Sequence, residues 1–213
     1  MKEITEEMLD ELRERVMNAM SPKRFRHTVA VEQMTARLCA LFCPQDTDLM
    51  RAAALLHDLT KECTLSEQVE LCRVYGLSVS DADLLTPKTF HARTAAAKIT
   101  AEFPQFANPV IVDAVRWHTT GRAEMTLTEK ILYLADYIDD SRTFSSCVLL
   151  RRYFWGANPE GMTAEQRQAL LRDTLILSYD MTVKDLLADG IPIAEDTVRA
   201  RNRLLLERAA EQT

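Results

Sequence analysis

The chain has 213 residues, of which 47% are hydrophobic and 27% are charged, and its formal net charge is −6. This composition is typical of a globular protein with a buried core, and it excludes an intrinsically disordered chain. The negative charge argues against binding to nucleic acid, because proteins that follow a phosphate backbone present a basic face. No apolar run approaches the roughly 20 residues of a membrane span, so no membrane segment is predicted.

The N-terminal segment and the cysteines give no sign of export. The first residues, MKEITEEMLDELRERV, are acidic and amphipathic, unlike a signal or transit peptide. The five cysteines are odd in number and include no CxxC pair, which favours reduced thiols over a disulfide framework. A cytoplasmic location is therefore expected.

Apolar spacing is helical nearly everywhere along the chain. A first helix is predicted by an apolar stripe that consists of Ile4, Met8, Leu12 and Val16. Ser21 and Pro22 predict the start of a second helix, which continues towards Cys43. Asp46 is expected to cap a third helix, which contains the segment AAALLHDLTK.

Capping signals indicate where the later helices begin. Capping boxes are predicted at Thr64 with Glu67 and at Thr126 with Glu129. Between them, the sequence predicts a helix over 88–102 and another that opens at Asn108 and Pro109. Gly76 is expected to end the helix that begins at Thr64. Thr163 and Gln166 predict the start of a long helix to about Leu187. Gly190 and Pro192 are expected to end it, and a basic, Leu-rich final helix follows.

These signals together predict an all-α fold, a helical bundle with additional C-terminal helices. No alternating apolar run has turn residues on both sides, so no significant sheet is expected. Residues 1–143 are predicted to form a catalytic core, and residues 144–213 a helical extension packed on it. The stretch from Phe144 to Met162 is the nearest candidate for a linker.

The chain has only four histidines, and each lies within or at an end of a predicted helix. They are His27, His57, His91 and His118. Imidazole is the commonest nitrogen ligand of catalytic transition metals, and carboxylates complete such sites. A single histidine on an apolar helix is more often a hydrogen-bonded core residue, so any one of these positions is weak evidence by itself.

Two aspartates strengthen the metal interpretation. Asp58 directly follows His57, and adjacent helical residues point about 100° apart, so one metal contacts both only near a helix end. Alternatively, the carboxylate bridges two metals while the imidazole binds one. Asp136 lies in the otherwise apolar segment ILYLADYI, where a buried ionised carboxylate is costly unless a partner such as a metal satisfies it.

Four segments carry a resemblance to a known family: RFRHTVAVE, LLHDLTK, RWHTTGR and EKILYLADYIDDSR. Together they resemble the HD-domain phosphohydrolase superfamily, and in particular its symmetrical bis(5′-nucleosyl)-tetraphosphatases, over roughly residues 20–145. The resemblance implies an HD-domain helical bundle and a site for two metals. The first metal would be bound by His27, His57, Asp58 and Asp136. The second would be bound by His91 and His118, with Asp58 as the bridge.

The resemblance also implies a reaction and a cofactor. A hydroxide between two divalent transition-metal ions would attack the polyphosphate and split diadenosine tetraphosphate symmetrically into two ADP. Iron is the metal that the resemblance implies, and manganese or cobalt suits the same ligands. Asp58 and Lys61 are expected to act in catalysis. Lys61, Arg122 and Arg142 are the predicted substrate-binding cations, because a polyphosphate needs positive charge around it.

The sequence departs from the family pattern at two places. His91 is followed by Ala92 and Arg93, where the family usually has a glycine directly after the histidine. Asp139 and Asp140 stand where the family usually has a Glu-Pro pair. Both departures leave the predicted ligands in place but bear on the preferred substrate.

Two other functional interpretations stay open at this point. The same ligand set serves HD-type phosphohydrolases of other nucleotides: nucleoside monophosphates, deoxynucleoside triphosphates and intermediates of NAD metabolism. A non-catalytic HD module that senses a nucleotide is the second, although such modules lose ligands and none is missing here. In each case the expected partner is a small nucleotide. The final Leu-rich helix is expected either to pack on the rest of the chain or to form a homodimer contact.

Overall fold

The computed structural model describes residues 4–211, and these residues form helices and loops without a strand. The predicted all-α fold is therefore confirmed. The helices are α1 (Glu6–Met17), α2 (Pro22–Phe42), α3 (Thr47–Leu56), α4 (Leu65–Val74), α5 (Asp81–Leu84), α6 (Phe90–Glu102), α7 (Pro109–Trp117), α8 (Leu127–Ile138), α9 (Ser145–Gly156), α10 (Ala164–Ala188) and α11 (Glu195–Ala210). Within the described range, no helix is both long enough and apolar enough to cross a membrane.

Several helix starts follow from the capping residues that the sequence predicts. The side chains of Thr64, Thr126 and Thr163 each accept a hydrogen bond from the backbone three residues later, and the Glu or Gln at that position returns one. Each box satisfies two backbone groups that a helix end leaves without a partner. Ser21 likewise caps α2, which has Pro22 in its first turn.

Two predicted boundaries need adjustment. Asp46 stands at the N-cap position of α3, but its side chain makes no capping hydrogen bond and instead accepts one from Gln45. The helix predicted over 88–102 begins at Phe90, because Pro87–Thr89 form a short 3-10 turn first. The difference matters because this turn brings the Lys88 carbonyl against His91.

The interpretation of Phe144–Met162 as a linker is wrong. This stretch contains α9 and a 3-10 turn at Pro159–Gly161. Leu150 and Phe154 are fully buried, and their spacing is the apolar periodicity of a helix that packs on the core.

One continuous core runs through the predicted catalytic part and the predicted extension. Leu132 and Tyr133 of α8 belong to the same buried cluster as Leu175 and Tyr179 of α10 and Leu204 of α11. The division of the chain into a core and an extension at residue 143 stays a prediction. The predicted core includes residues 1–3 and the predicted extension includes residues 212–213, which lie outside the described residues. The extension packs on the core through these contacts.

The central helices bring the predicted site residues together. α2 packs against α3 and α8, and α7 lies against α3, α6 and α8. His57 and His118 occupy the C-cap positions of α3 and α7, whereas His91 lies in the first turn of α6. Three helix ends therefore meet beside α2 and α8, which carry His27 and Asp136.

Candidate metal centre

The six predicted ligands converge on one buried cluster. Two overlapping groups have ligand atoms within 4.8 Å of one another: His27 with His57 and Asp136, and His57 with Asp58 and His118. The Nε2 atoms of His91 and His118 are 3.0 Å apart, which brings the remaining histidine into the same cluster. Around an ion with bonds of about 2.1 Å, neighbouring ligand atoms lie roughly 3 Å apart, so the observed spacing suits a metal.

Asp58 lies at the centre, and its two oxygens face different histidines. Oδ2 is 3.3 Å from His57 Nε2 and 3.7 Å from His27 Nε2. Oδ1 is 3.4 Å from His91 Nε2 and 3.8 Å from His118 Nε2. This division is the arrangement that a carboxylate between two metal positions requires.

Asp136 completes the half of the cluster that contains His27. Its Oδ1 atom is 3.0 Å from His27 Nε2 and 3.9 Å from His57 Nε2. The two halves are therefore unequal. The first half contains the imidazoles of His27 and His57 and the carboxylate of Asp136. The second half contains the imidazoles of His91 and His118.

Hydrogen bonds on the far side of three imidazoles set their orientation. The Nδ1 atoms of His57, His91 and His118 donate to the carbonyls of Ala54, Lys88 and Val115, at 2.6, 2.8 and 2.7 Å. A carbonyl oxygen only accepts, so Nδ1 carries the proton and the Nε2 lone pair of the neutral ring faces the cluster. Metal-binding histidines characteristically have such an outer partner.

The cluster also contains buried polar atoms that a metal would satisfy. Nε2 of His57 is buried and makes no hydrogen bond within the described part of the chain, and Nε2 of His27 is also buried, with the Asp136 carboxylate 3.0 Å away. Leaving such atoms without partners costs free energy, since water is excluded as well. Imidazole nitrogen and carboxylate oxygen are the donors that a divalent transition metal prefers, so these residues fit the predicted cofactor.

The ionisation of the cluster differs between its two halves. Burial lowers the pKa of His91 well below its ordinary value and that of His118 to about 4, so both are neutral at pH 7. Burial also lowers the pKa of His27, but the nearby carboxylates of Asp136 and Asp139 outweigh it and raise that pKa to about 9. Without metal, His27 is therefore protonated at neutral pH.

This raised pKa predicts how the stability of the metal-free protein depends on pH. The contribution of His27 is fully present below its ordinary pKa of 6.5 and is lost as the pH rises through about 9. The free energy of unfolding should fall over this interval by at most about 3 kcal/mol. Urea unfolding in the presence of a chelator, at several pH values, measures the change.

The matched control for this measurement is His27→Gln, which cannot take up the proton. Its unfolding free energy should vary less with pH than that of the wild type, again without metal. Parallel pH profiles for the two proteins would contradict the assignment of the proton to His27.

The predicted catalytic lysine lies at the edge of the cluster. Lys61 Nζ is 3.1 Å from His91 Nε2, and burial lowers the pKa of its ammonium group. A cavity of 210 Å³ lies over Lys61 and His91. Its position agrees with a phosphate-binding role, which stays a prediction.

The two predicted substrate-binding arginines make strong contacts inside the protein. Arg122 forms a two-pronged ion pair with the buried Glu129, at 2.5 and 2.9 Å. Arg142 donates to Asp136 Oδ1 at 2.5 Å and to the Asp136 carbonyl at 2.6 Å. Arg142 thus touches the cluster, whereas Arg122 pairs with Glu129 beside the turn after His118, and the substrate-binding role of both arginines stays a prediction.

Sequence reasoning passed over Arg24. Its Nη1 atom donates to Asp58 Oδ2 at 2.7 Å, and its Nε atom is buried without a hydrogen bond in the described part of the structure. Arg24 precedes His27 by three residues, so the two share a face of α2. That spacing is the signal that could have selected Arg24 over Arg26.

The departure at Asp139 also proves to lie beside the cluster. Asp139 is fully buried, and its Oδ2 atom is 3.4 Å from Nδ1 of His27. His27 Nδ1 thus has two outer neighbours, this carboxylate and the Ser141 hydroxyl, which is 3.3 Å away. At the other departure, Arg93 forms an ion pair with Asp83 at 2.8 Å and also contacts the Ser78 carbonyl.

The comparisons with known proteins agree with this geometry. Residues 24–140 match the HD domain. The chain is 31% identical to a symmetrical bis(5′-nucleosyl)-tetraphosphatase from Halalkalibacterium halodurans, over 88% of this chain and 92% of that protein. A protein of the same name from Bacillus subtilis is 29% identical, over 89% of this chain and 94% of the relative.

A solved structure shows the same fold. It is the crystal structure of a predicted HD superfamily hydrolase involved in NAD metabolism from Clostridium acetobutylicum. The two chains are 29% identical, with a TM-score of 0.80, over 93% of this chain and 97% of the other. From the domain match and the full-length relatives, the chain belongs to the HD-domain family of metal-dependent hydrolases and, within it, to the family of the symmetrical bis(5′-nucleosyl)-tetraphosphatases.

Proposed function

We propose that this protein hydrolyses dinucleoside tetraphosphates at the centre of the polyphosphate, so that diadenosine tetraphosphate gives two ADP. The observation that carries the proposal is the central position of Asp58, whose two oxygens face different pairs of histidines. The full-length relatives bear the name of this activity. Cleavage at the centre requires an inner phosphate at the cluster and a nucleoside on each side.

We propose that the cluster holds two divalent transition-metal ions, with iron as the resident metal and manganese or cobalt as substitutes. The first position takes His27, His57, Asp58 and Asp136. The second takes His91 and His118 and shares Asp58. When bound, such a pair supplies Lewis acidity and a water molecule acidic enough to attack phosphorus near neutral pH.

The chain's own residues then have separate roles. Asp58 holds the two halves of the cluster in register, and Arg24 fixes the orientation of its carboxylate through the bond to Oδ2. Lys61 lies beside His91 over the small cavity, and we assign it the task of binding a phosphate oxygen. Arg142 holds Asp136, and any contact of its guanidinium with substrate would add to that role.

A second candidate function comes from the Clostridium acetobutylicum protein, which is described as involved in NAD metabolism. The substrate would then be a nucleotide from that metabolism, or another mononucleotide, and the same metal cluster would serve. A sensing module without catalysis is the third candidate. All six predicted ligands are present at the cluster, and this favours an enzyme.

The deciding experiment is a substrate panel with products resolved by chromatography. Metal-loaded protein should convert diadenosine tetraphosphate into ADP alone, and in oxygen-18 water the label should enter ADP. Elemental analysis should find about two ions per chain. Equal amounts of AMP and ATP, or no turnover beside rapid hydrolysis of a mononucleotide, would assign a different substrate.

The remaining expectations concern assembly and location. We propose a homodimer, since Leu206 of the Leu-rich final helix is 65% exposed. Sedimentation analysis checks this. A cytoplasmic location and the absence of nucleic-acid binding stay predictions, which the net charge of −6 and the unpaired cysteines support.

A further inference from the structure

A cleft of 450 Å³ lies beside the metal cluster. One wall is the 85–89 segment before α6, and a second is the Thr119–Thr120 turn after α7. The third wall comes from the extension: Leu186 near the end of α10, and the 190–194 loop. We call this cavity the extension cleft. Its volume is in the range of small-molecule sites, which span roughly 300–1,000 Å³.

The extension cleft adjoins the cluster through two of its walls. The Thr119 hydroxyl is 3.1 Å from Nε2 of His91. The Lys88 carbonyl accepts the hydrogen bond from Nδ1 of the same histidine, at 2.8 Å. Lys88 also borders the small cavity over Lys61, so the two cavities flank the segment that ends at His91.

The lining chemistry selects among possible ligands. The side chains of Leu85, Pro87, Leu186, Ile191 and Pro192 make the walls apolar, and threonine hydroxyls are interspersed among them. Lys88 is the one charged residue among the described lining residues, and no carboxylate is among them. Such a surface suits an aromatic base and a sugar, whereas the charge of a phosphate belongs at the cluster.

The loop that closes the extension cleft is held by the end of α10. The backbone N–H of Ile191 donates to the Leu186 carbonyl at 2.9 Å, and that of Gly190 donates to the Leu187 carbonyl at 3.2 Å. These bonds bring Ile191 back against Leu186. The wall is therefore part of the folded extension, and it lies outside residues 24–140, which match the HD domain.

We infer that the extension cleft binds a nucleoside of the nucleotide substrate, and that the 190–194 loop of the extension determines how well the nucleoside fits. The inference rests on the proposed function in one respect: a phosphate of that nucleotide lies at the cluster. A substrate held this way has its base against Leu186 and Ile191 and its first phosphates directed towards His91. Residues outside the HD domain thus contribute to substrate selection.

The test fills the extension cleft and separates nucleoside from phosphate binding. Leu186→Trp and, independently, Ile191→Trp place an indole in the cavity. Leu187→Trp is the matched control, because Leu187 is the next residue of α10 and is 67% exposed. Calorimetry on metal-loaded proteins uses two probes: ADP, which has a nucleoside, and pyrophosphate, which has none.

The expected result is a loss of ADP affinity of at least about tenfold in both cleft variants, with pyrophosphate affinity within about twofold of the wild type. The control should bind both probes as the wild type does. With diadenosine tetraphosphate, the KM should rise in the cleft variants while kcat changes by less than about threefold.

Two outcomes would overturn the inference. The first is unchanged ADP affinity in both folded cleft variants. The second is an equal loss for ADP and pyrophosphate, which would indicate a general disturbance of the cluster. Failure of the proposed function is distinguishable from either, because a wild type that does not hydrolyse diadenosine tetraphosphate can still show selective loss of ADP binding in the variants.

Discussion

Asp58→Ala is expected to lower hydrolysis by at least about 10³-fold and to reduce the metal content of both halves of the cluster. The reason is geometric, since Oδ1 faces His91 and His118 while Oδ2 faces His27 and His57. Loss of the carboxylate also leaves Arg24 without its partner at the site. Turnover and elemental analysis on the same preparation measure the two effects.

His118→Ala is the comparison variant, because His118 belongs to one half of the cluster only. It should keep about one ion per chain and measurable residual activity. Asp58→Asn preserves the size and shape of the side chain. A loss of activity and metal in this variant therefore reflects the missing carboxylate and not a failure to fold. Equal metal content and equal residual activity in the Asp58 and His118 variants would rule out a shared carboxylate.

Gly121→Ala is expected to destabilise the protein by about 3 kcal/mol or more, from backbone strain and overpacking together. Gly121 has φ +67°, a conformation that L-residues rarely adopt. An added Cβ would overlap the Tyr179 hydroxyl and lie 2.9 Å from Met125 Sδ and 3.1 Å from the Ala200 Cβ. Helices α10 and α11 therefore pack directly against the turn that follows His118.

Gly76→Ala is the matched control for this variant. Gly76 has the same φ of +67°, but nothing lies within 4 Å of an added Cβ there. It should lose only about 1 kcal/mol, the cost of the backbone conformation. The difference between the two variants in urea unfolding isolates the packing contribution, and equal losses would contradict the close approach of the extension.

Gly121→Ala should also affect the metal cluster. The backbone N–H of Gly121 donates to the Trp117 carbonyl at 2.9 Å, and this bond closes the turn from His118 to Gly121. A shift of this turn moves the imidazole of His118. We expect lower metal content in the folded Gly121 variant, with no change in the Gly76 variant.

The sequence alone determined most of the helices and the identity of the cluster residues. Capping boxes such as Thr64 with Glu67 act within one helical turn, so their residues predict the helix start without knowledge of the fold. The chain has only four histidines, and the apolar pattern predicts that each of them lies within or at an end of a helix. Their roles as ligands stay a prediction.

The 144–162 stretch shows where the local sequence gave a wrong prediction because packing decides the structure. The 144–162 stretch was interpreted as a linker, yet α9 forms there because Leu150 and Phe154 fill the core. Arg151 of the same helix donates to the carbonyls of Ile138 and Arg142, which ties α9 to the loop beside Asp136. Such contacts join residues of different helices, so the local sequence does not show them.

Only the tertiary structure decided the orientation of the cluster and the partners of its neighbours. The packing of separate helices decides which oxygen of Asp58 faces which histidine. It also decides that Arg24 binds Asp58 and that Arg122 pairs with Glu129. The wall that α10 contributes beside His91 likewise joins residues about 100 positions apart. Local propensity acts within a few residues, whereas these contacts exist only after the helices have packed around a common core.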